Sequence, residues 1–159
     1  MNHDSYSDAY LSEILHSVRT IAMVGASPHR NRPSHFVMQY LQSKGFRVIP
    51  VNPTVAGEKI LGETVYADLA QVPEPIDMVD IFRRSEAALP IVEEAIRIHA
   101  KIVWMQLGVR NDAAAAKAEA AGLKVVMNRC PEIEYSRLHG ERTRNGVNTG
   151  IISSKRRRL

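Results

Sequence analysis

The 159-residue chain has one cysteine, Cys130, so it closes no internal disulfide and offers no thiolate cluster for a metal. It also lacks any apolar run near the roughly 20 residues needed to cross a bilayer. Its start, MNHDSYSDAY, has neither the basic nor the apolar region of a secretory signal. The expectation is a soluble protein of a reducing compartment, the cytoplasm, with no membrane partner. No fixed-period repeat is present, which excludes solenoids and propellers. With 9 glycines and 8 prolines the chain is neither collagenous nor of low complexity, and its 45% hydrophobic share is that of an ordinary globular protein. Its length suits one domain.

The body of the chain lacks excess positive charge too. Residues 137–159 hold seven of the 21 Lys and Arg against one acid, Glu141, and the first 136 residues come to −2. The net charge of +4 therefore belongs to the end of the chain. The expected division is a single domain over 1–138 and a basic, flexible tail over 139–159. The closing Lys155, Arg156, Arg157 and Arg158 have no interleaved aromatics, so nucleic acid is not the expected partner.

What is present is an alternation of strands and helices. Leu11, Ile14, Leu15 and Val18 fall at helical spacing behind Ser7 as N-cap, predicting a short helix that covers the body. Ile21-Ala22-Met23-Val24 is a continuous apolar run, the pattern of a strand buried on both faces. A helix follows over 33–44, with Pro33 in its first turn and Gly45 after its end. Further strands are predicted over 47–51, 78–82, 102–105 and 124–127, a short extra element at 64–66 and a helical turn at 68–72. Ser85 is expected to cap a helix running to about His99, kinked at Pro90, and an alanine-rich helix spans 111–121. Strands joined through helices pair in parallel with right-handed crossovers. The fold class is α/β: a Rossmann-like, doubly wound, mostly parallel sheet of five to six strands with helices on both faces.

In such a sheet ligands bind beyond the carboxyl ends of the strands. Here those ends are Gly25-Ala26-Ser27, Asn52-Pro53 after Val51, Phe82-Arg83, Gln106-Leu107-Gly108 and Asn128-Arg129-Cys130-Pro131. Segment 25–34, GASPHRNRPS, is the most informative. Gly25 and Ala26 allow close approach of the backbone, Ser27 brings a hydroxyl, and the next helix aims free N–H groups at the same point. Arg30 and Arg32 add positive charge suited to several phosphates. The loop is not GxGxxG, since Ser27 and Arg30 stand at the second and third glycine positions. The second strand also lacks the acid that grips an NAD ribose, because no carboxylate occurs between Val51 and Glu58. NADP and coenzyme A both remain.

Taken in order, IAMVGAS, VIPVNP, GEKILG, DMVDIFRRSE, WMQLGV and MNRCPEIE resemble the small stand-alone CoA-binding proteins of bacteria and archaea. These are single Rossmann-like domains related to the amino-terminal domain of the succinyl-CoA synthetase α subunit. The resemblance covers about residues 8–138. It implies a CoA pyrophosphate on Gly25, Ala26 and Ser27 and an adenosine near Val51, Asn52 and Pro53. Lys59 matches a basic position near the nucleotide, and Phe82 and Arg83 match the stretch after the third strand. The second domain that carries the phosphorylated histidine of the ligases is missing, so their chemistry does not carry over.

Other candidates for chemistry are few. His3, His16, His29, His35, His99 and His139 are scattered without metal-ligand spacing, and only His29 and His35 fall near the proposed site, as flanks to phosphates. Cys130 sits at the ligand end of the last strand with no base beside it; packing is its expected role, with a mixed disulfide to the CoA thiol as the other option. Asp77 reads as a turn residue, Asp80 as facing a polar edge or a partner, and Trp104 and Met105 as core. The reading is a non-catalytic binder of CoA or an acyl-CoA. The alternative is an NADP-binding enzyme or redox-regulatory domain, with Arg30 and Arg32 on the 2′-phosphate. Replacing Gly25 by Val is expected to disable binding with less effect on folding.

Overall fold

The computed structural model of the protein describes residues 1–141. The basic run expected as a flexible tail lies, from residue 142 onward, outside the described residues. Five strands form one sheet: β1 (Thr20–Val24), β2 (Arg47–Val51), β5 (Met78–Ile81), β6 (Ile102–Met105) and β7 (Lys124–Val126). Between β2 and β5 a separate antiparallel hairpin holds β3 (Lys59–Ile60) and β4 (Glu63–Thr64). The sheet order is β2-β1-β5-β6-β7, and every neighbouring pair is parallel. From β1 the chain steps outward to β2, then crosses back to β5 on the other side of β1. The order of strands therefore reverses between β1 and β5, where such sheets open a crevice for ligands.

Every apolar strand position is covered because helices lie on both faces. Ala22, Val24, Val79, Ile81, Val103 and Met105 pack with α3 (Ala88–Arg97) and α4 (Asp112–Ala120). Ile21, Met23, Met78, Ile102 and Trp104 point the other way, toward α1 (Asp8–Ser17), α2 (Pro33–Ser43) and α5 (Pro131–Leu138). On α4 the buried side chains are Ala114, Ala115 and Ala118, small enough for the helix to lie close to its neighbours. On α1 the buried stripe is Leu11, Ile14 and Leu15, each contributing about 1.5–3 kcal/mol by leaving water.

Local chemistry fixes the ends. Ser7 caps α1 by accepting from the Tyr10 N–H (3.1 Å), as the spacing predicted. The first turn of α1 and the segment before it close the free edge at β7: the Tyr10 hydroxyl of α1 donates to Val125 O (2.9 Å), and the Tyr6 hydroxyl accepts from Met127 N–H (2.8 Å). Edge groups that would otherwise be open to another chain are thereby satisfied.

Three features differ from the sequence reading. Ser85 does not cap α3; it lies in a 3₁₀ turn (Ser85–Ala87), and its hydroxyl accepts from Arg110 N–H (3.0 Å). Because α3 begins only at Ala88, Pro90 falls in the first turn, where a missing N–H breaks no helical bond. Asp80 faces no polar edge: it is fully buried on β5 between Met23 and Trp104 of the flanking strands. Asp77, by contrast, makes the expected turn, accepting from the N–H groups of Arg19 (2.9 Å) and Thr20 (3.0 Å) at the start of β1. Sequence reasoning missed α5, the short strand β3 and a 3₁₀ turn at Pro53–Val55.

Candidate functional site

The crevice at the β1/β5 reversal is a cavity of about 710 Å³, within the usual range for a small-molecule site. Four strand ends build it. Gly25 and Ser27 come from β1, Asn52 and Pro53 from β2, Phe82 and Arg83 from β5, and Gln106 and Gly108 from β6. Arg32 enters from the start of α2. These nine of the thirteen expected site residues are thus brought together. Ala26 and Val51 are buried behind the wall, at 1% and 2% exposure, and shape the cavity without lining it. Arg30 and Lys59 are exposed and do not line it either; Lys59 lies in β3 on the hairpin. Sequence reasoning missed Pro33, Ser34, Thr54, Arg84 and Val109, most of them one position beyond an expected strand end or in the first turn of α2.

Gly25 is fixed by the fold before any ligand is considered. Its φ is +92°, and a Cβ built there would stand 2.3 Å from the carbonyl oxygen of Phe82. No L side chain fits between the ends of β1 and β5 without moving backbone. The expectation that Gly25→Val affects folding less than binding meets this contact: a side chain here strains the strand junction itself.

The loop after Gly25 is braced by its neighbours. Asn52 donates from Nδ2 to Ala26 O (2.8 Å), while its Oδ1 accepts from the N–H and hydroxyl of Thr54 (2.9 and 2.8 Å). The asparagine that stands where an NAD site has an acid thus ties the end of β2 to the glycine loop. Ser27 N–H donates to Ser34 Oγ (2.9 Å), and Ser27 Oγ accepts from His29 N–H (3.1 Å). At α2, whose N-cap is Arg32, no side chain caps the helix. Its positive end is turned to the cavity through Arg32, Pro33 and Ser34.

The lining carries Arg32, Arg83 and Arg84 and no carboxylate, imidazole or thiol. Among the described residues these three arginines make no ion pair, whereas Arg47 is paired with Glu63 and Glu74, Arg110 with Asp4 and Asp112, and Arg137 with Asp8 and Glu134. His29 and His35 are near the loop but do not line the cavity. Burial, with Arg30 nearby, holds the His35 imidazole below its usual value. Cys130 is 1% exposed and burial pushes its thiol up to about 12, so it is not the accessible sulfur that a mixed disulfide requires. No group of three or more metal-binding side chains occurs among the described residues.

A parallel sheet with a cationic crevice at its reversal is shared by many nucleotide binders; comparison with known proteins is more specific. The family model described as CoA binding domain matches residues 19–136. The chain belongs to the CoA-binding domain family. YneT of Bacillus subtilis, an uncharacterized protein, is 35% identical over 130 residues, 82% of this chain and 95% of the relative. A hypothetical protein from Pyrococcus horikoshii shares 40% identity at a TM-score of 0.82, covering 88% of this chain and 97% of the other. A Thermus thermophilus structure shares 37% at 0.80, covering 84% and 99%. This CoA-binding domain protein therefore matches these three relatives over nearly their whole length. No helix among its described residues is long and apolar enough to cross a membrane.

Proposed function

We propose that the protein binds CoA or an acyl-CoA reversibly in the β1/β5 crevice and does no chemistry on it alone. The observation that carries this reading is the set of three arginines, unpaired among the described residues, around a cavity without a carboxylate. Unpaired guanidinium groups converging on one crevice fit a polyphosphate, to which each makes charge-assisted and often bidentate bonds. The pyrophosphate rests on the Gly25–Ser27 loop and the open end of α2. Arg32, Arg83 and Arg84 share its charge and that of the 3′-phosphate, and Asn52 and Pro53 border the adenosine. Arg30 and Lys59 act through the general field from outside the cavity. The family match supports CoA as the ligand class.

Lack of turnover follows from the wall chemistry. Ser27, Ser34 and Thr54 are the hydroxyls there, and none has a base among the lining residues. The 1–138 portion is the binding unit in this proposal, and the basic residues beyond it are not needed for CoA.

Calorimetric titration with CoA, NADP and NAD tests the reading. CoA is expected to bind tightest, with affinity falling as salt rises. Tighter binding of NAD or NADP, or thioester hydrolysis by the purified protein, would reject it.

A further inference from the structure

The glycine loop and the head of α2 meet at one hydroxyl. Ser34 lines the cavity, yet only 4% of it is exposed. Its Oγ accepts from Ser27 N–H (2.9 Å), and its own hydroxyl proton has no acceptor among the described residues. Other helical serines of the chain place theirs within the helix: Ser17, Ser43 and Ser136 donate to the carbonyl three residues back, at 2.8, 2.6 and 3.2 Å. For Ser34, in the first turn of α2, the residue three back is Asn31, outside the helix.

The backbone donors around it are mostly engaged. Gly25 N–H donates to Val51 O (2.9 Å), and Ser27 N–H goes to Ser34 itself. In the first turn of α2, Pro33 has no N–H, and the N–H groups of His35 and Phe36 both turn back to Arg32 O (3.0 and 3.4 Å). The Ser34 N–H has no partner among the described residues, so one residue holds two unspent donors, N–H and O–H, on the cavity wall. They stand at the positive end of α2, beside Arg32. A phosphoryl oxygen accepts from both and carries the charge that the helix end and the guanidinium favour.

We infer that Ser34 is a pyrophosphate-binding residue, its hydroxyl and its N–H both donating to one phosphoryl group while its Oγ goes on accepting from Ser27. The inference rests on the CoA reading above and adds a residue to it. Because the Ser27 amide faces Ser34, the loop does not meet the phosphate through that amide; the Ser34 hydroxyl takes its place. The bond from Ser27 polarises this hydroxyl and strengthens what it donates. Ser27 serves the same phosphates with its own hydroxyl, which accepts from His29 N–H (3.1 Å) and keeps its proton free.

The experiment compares CoA with dephospho-CoA, which keeps the pyrophosphate and lacks the 3′-phosphate, in wild type and Ser34→Ala. Alanine suits a helix and removes only the oxygen. Both ligands are expected to bind about tenfold more weakly to the variant, because both carry the pyrophosphate. ³¹P NMR of bound CoA locates the contact: the pyrophosphate signals should differ between wild type and variant, and the 3′-phosphate signal should not. A further measurement needs no variant: in wild type, the backbone ¹⁵N–¹H signal of Ser34 should shift on adding either ligand. Unchanged affinities in Ser34→Ala, a loss confined to CoA, unchanged pyrophosphate signals, or a Ser34 amide signal that stays in place at saturation would each overturn the Ser34 assignment and leave the CoA reading standing. If wild type binds neither ligand, both fall.

Discussion

Replacing Gly25 by Ala puts a methyl group into the junction on which the crevice depends. Two penalties add. An L residue at a φ of +92° costs about 1–2 kcal/mol relative to glycine. The new Cβ would also stand 2.3 Å from Phe82 O and 3.0 Å from Arg83 Cδ. The arginine stem can swing aside, but the carbonyl belongs to backbone whose N–H donates to Val24 O (2.8 Å), so relief requires the ends of β1 and β5 to part. Overpacking of this kind costs about 1–3 kcal/mol. The total is about 2–5 kcal/mol, a large fraction of the roughly 5–15 kcal/mol that holds a domain together. Urea unfolding followed by the fluorescence of Trp104, the one tryptophan, reads this directly. With a slope of about 2 kcal/mol per molar, the midpoint should drop by roughly 1–2.5 M. Gly57→Ala is the control, because Gly57 has a φ of +90° but open space around the added carbon. It should show the backbone penalty alone. Equal losses for the two variants, or a loss below about 0.5 kcal/mol at Gly25, would refute the packing argument.

Asp80→Asn should change how stability depends on pH. The folded carboxyl value is raised by burial, so stability is fully present below the unfolded value near 4 and falls by about 1.4 kcal/mol per pH unit up to the folded value. The variant should lack that slope; identical pH profiles by urea titration would show that Asp80 titrates normally. Cys130 should react with a thiol reagent only as fast as the protein opens, given its burial and its value of about 12. Rapid labelling of folded protein at pH 7 would contradict this. Arg83→Ala and Arg84→Ala should each weaken CoA about tenfold and reduce its salt dependence, while Arg30→Ala and Lys59→Ala change it less than threefold. The reverse ranking by calorimetry would move the polyphosphate away from the cavity.

Much of this architecture is written in the apolar runs. IAMV, MVDI and IVWM have to be strands covered on both sides, and the helix-length stretches between successive strands suit parallel crossovers. Once the strands are placed, their ends locate the crevice, which is why Gly25, Asn52, Phe82 and Gln106 were legible together. The same logic should have placed Asp80. In a strand buried on both faces no position meets solvent, so an acid inside MVDI must be buried. Helix α5 was hidden because PEIEYSRL has a weak apolar stripe; it buries Pro131 and Ser136 in place of large side chains. Ser85 followed by a proline five residues on looked like a cap and a kink, and only the intervening 3₁₀ turn shows that it is neither. Lys59 sits seven residues past Asn52 in sequence, but the hairpin carries it away from the wall.

The central claim is that CoA lies across the β1/β5 reversal with its phosphates on the Gly25–Ser27 loop. A crystal structure of the protein soaked with CoA is the most direct measurement. It should show the pyrophosphate within hydrogen-bond distance of that loop and of at least two of Arg32, Arg83 and Arg84. CoA bound elsewhere on the molecule, or an empty crevice at saturating CoA, would contradict the account.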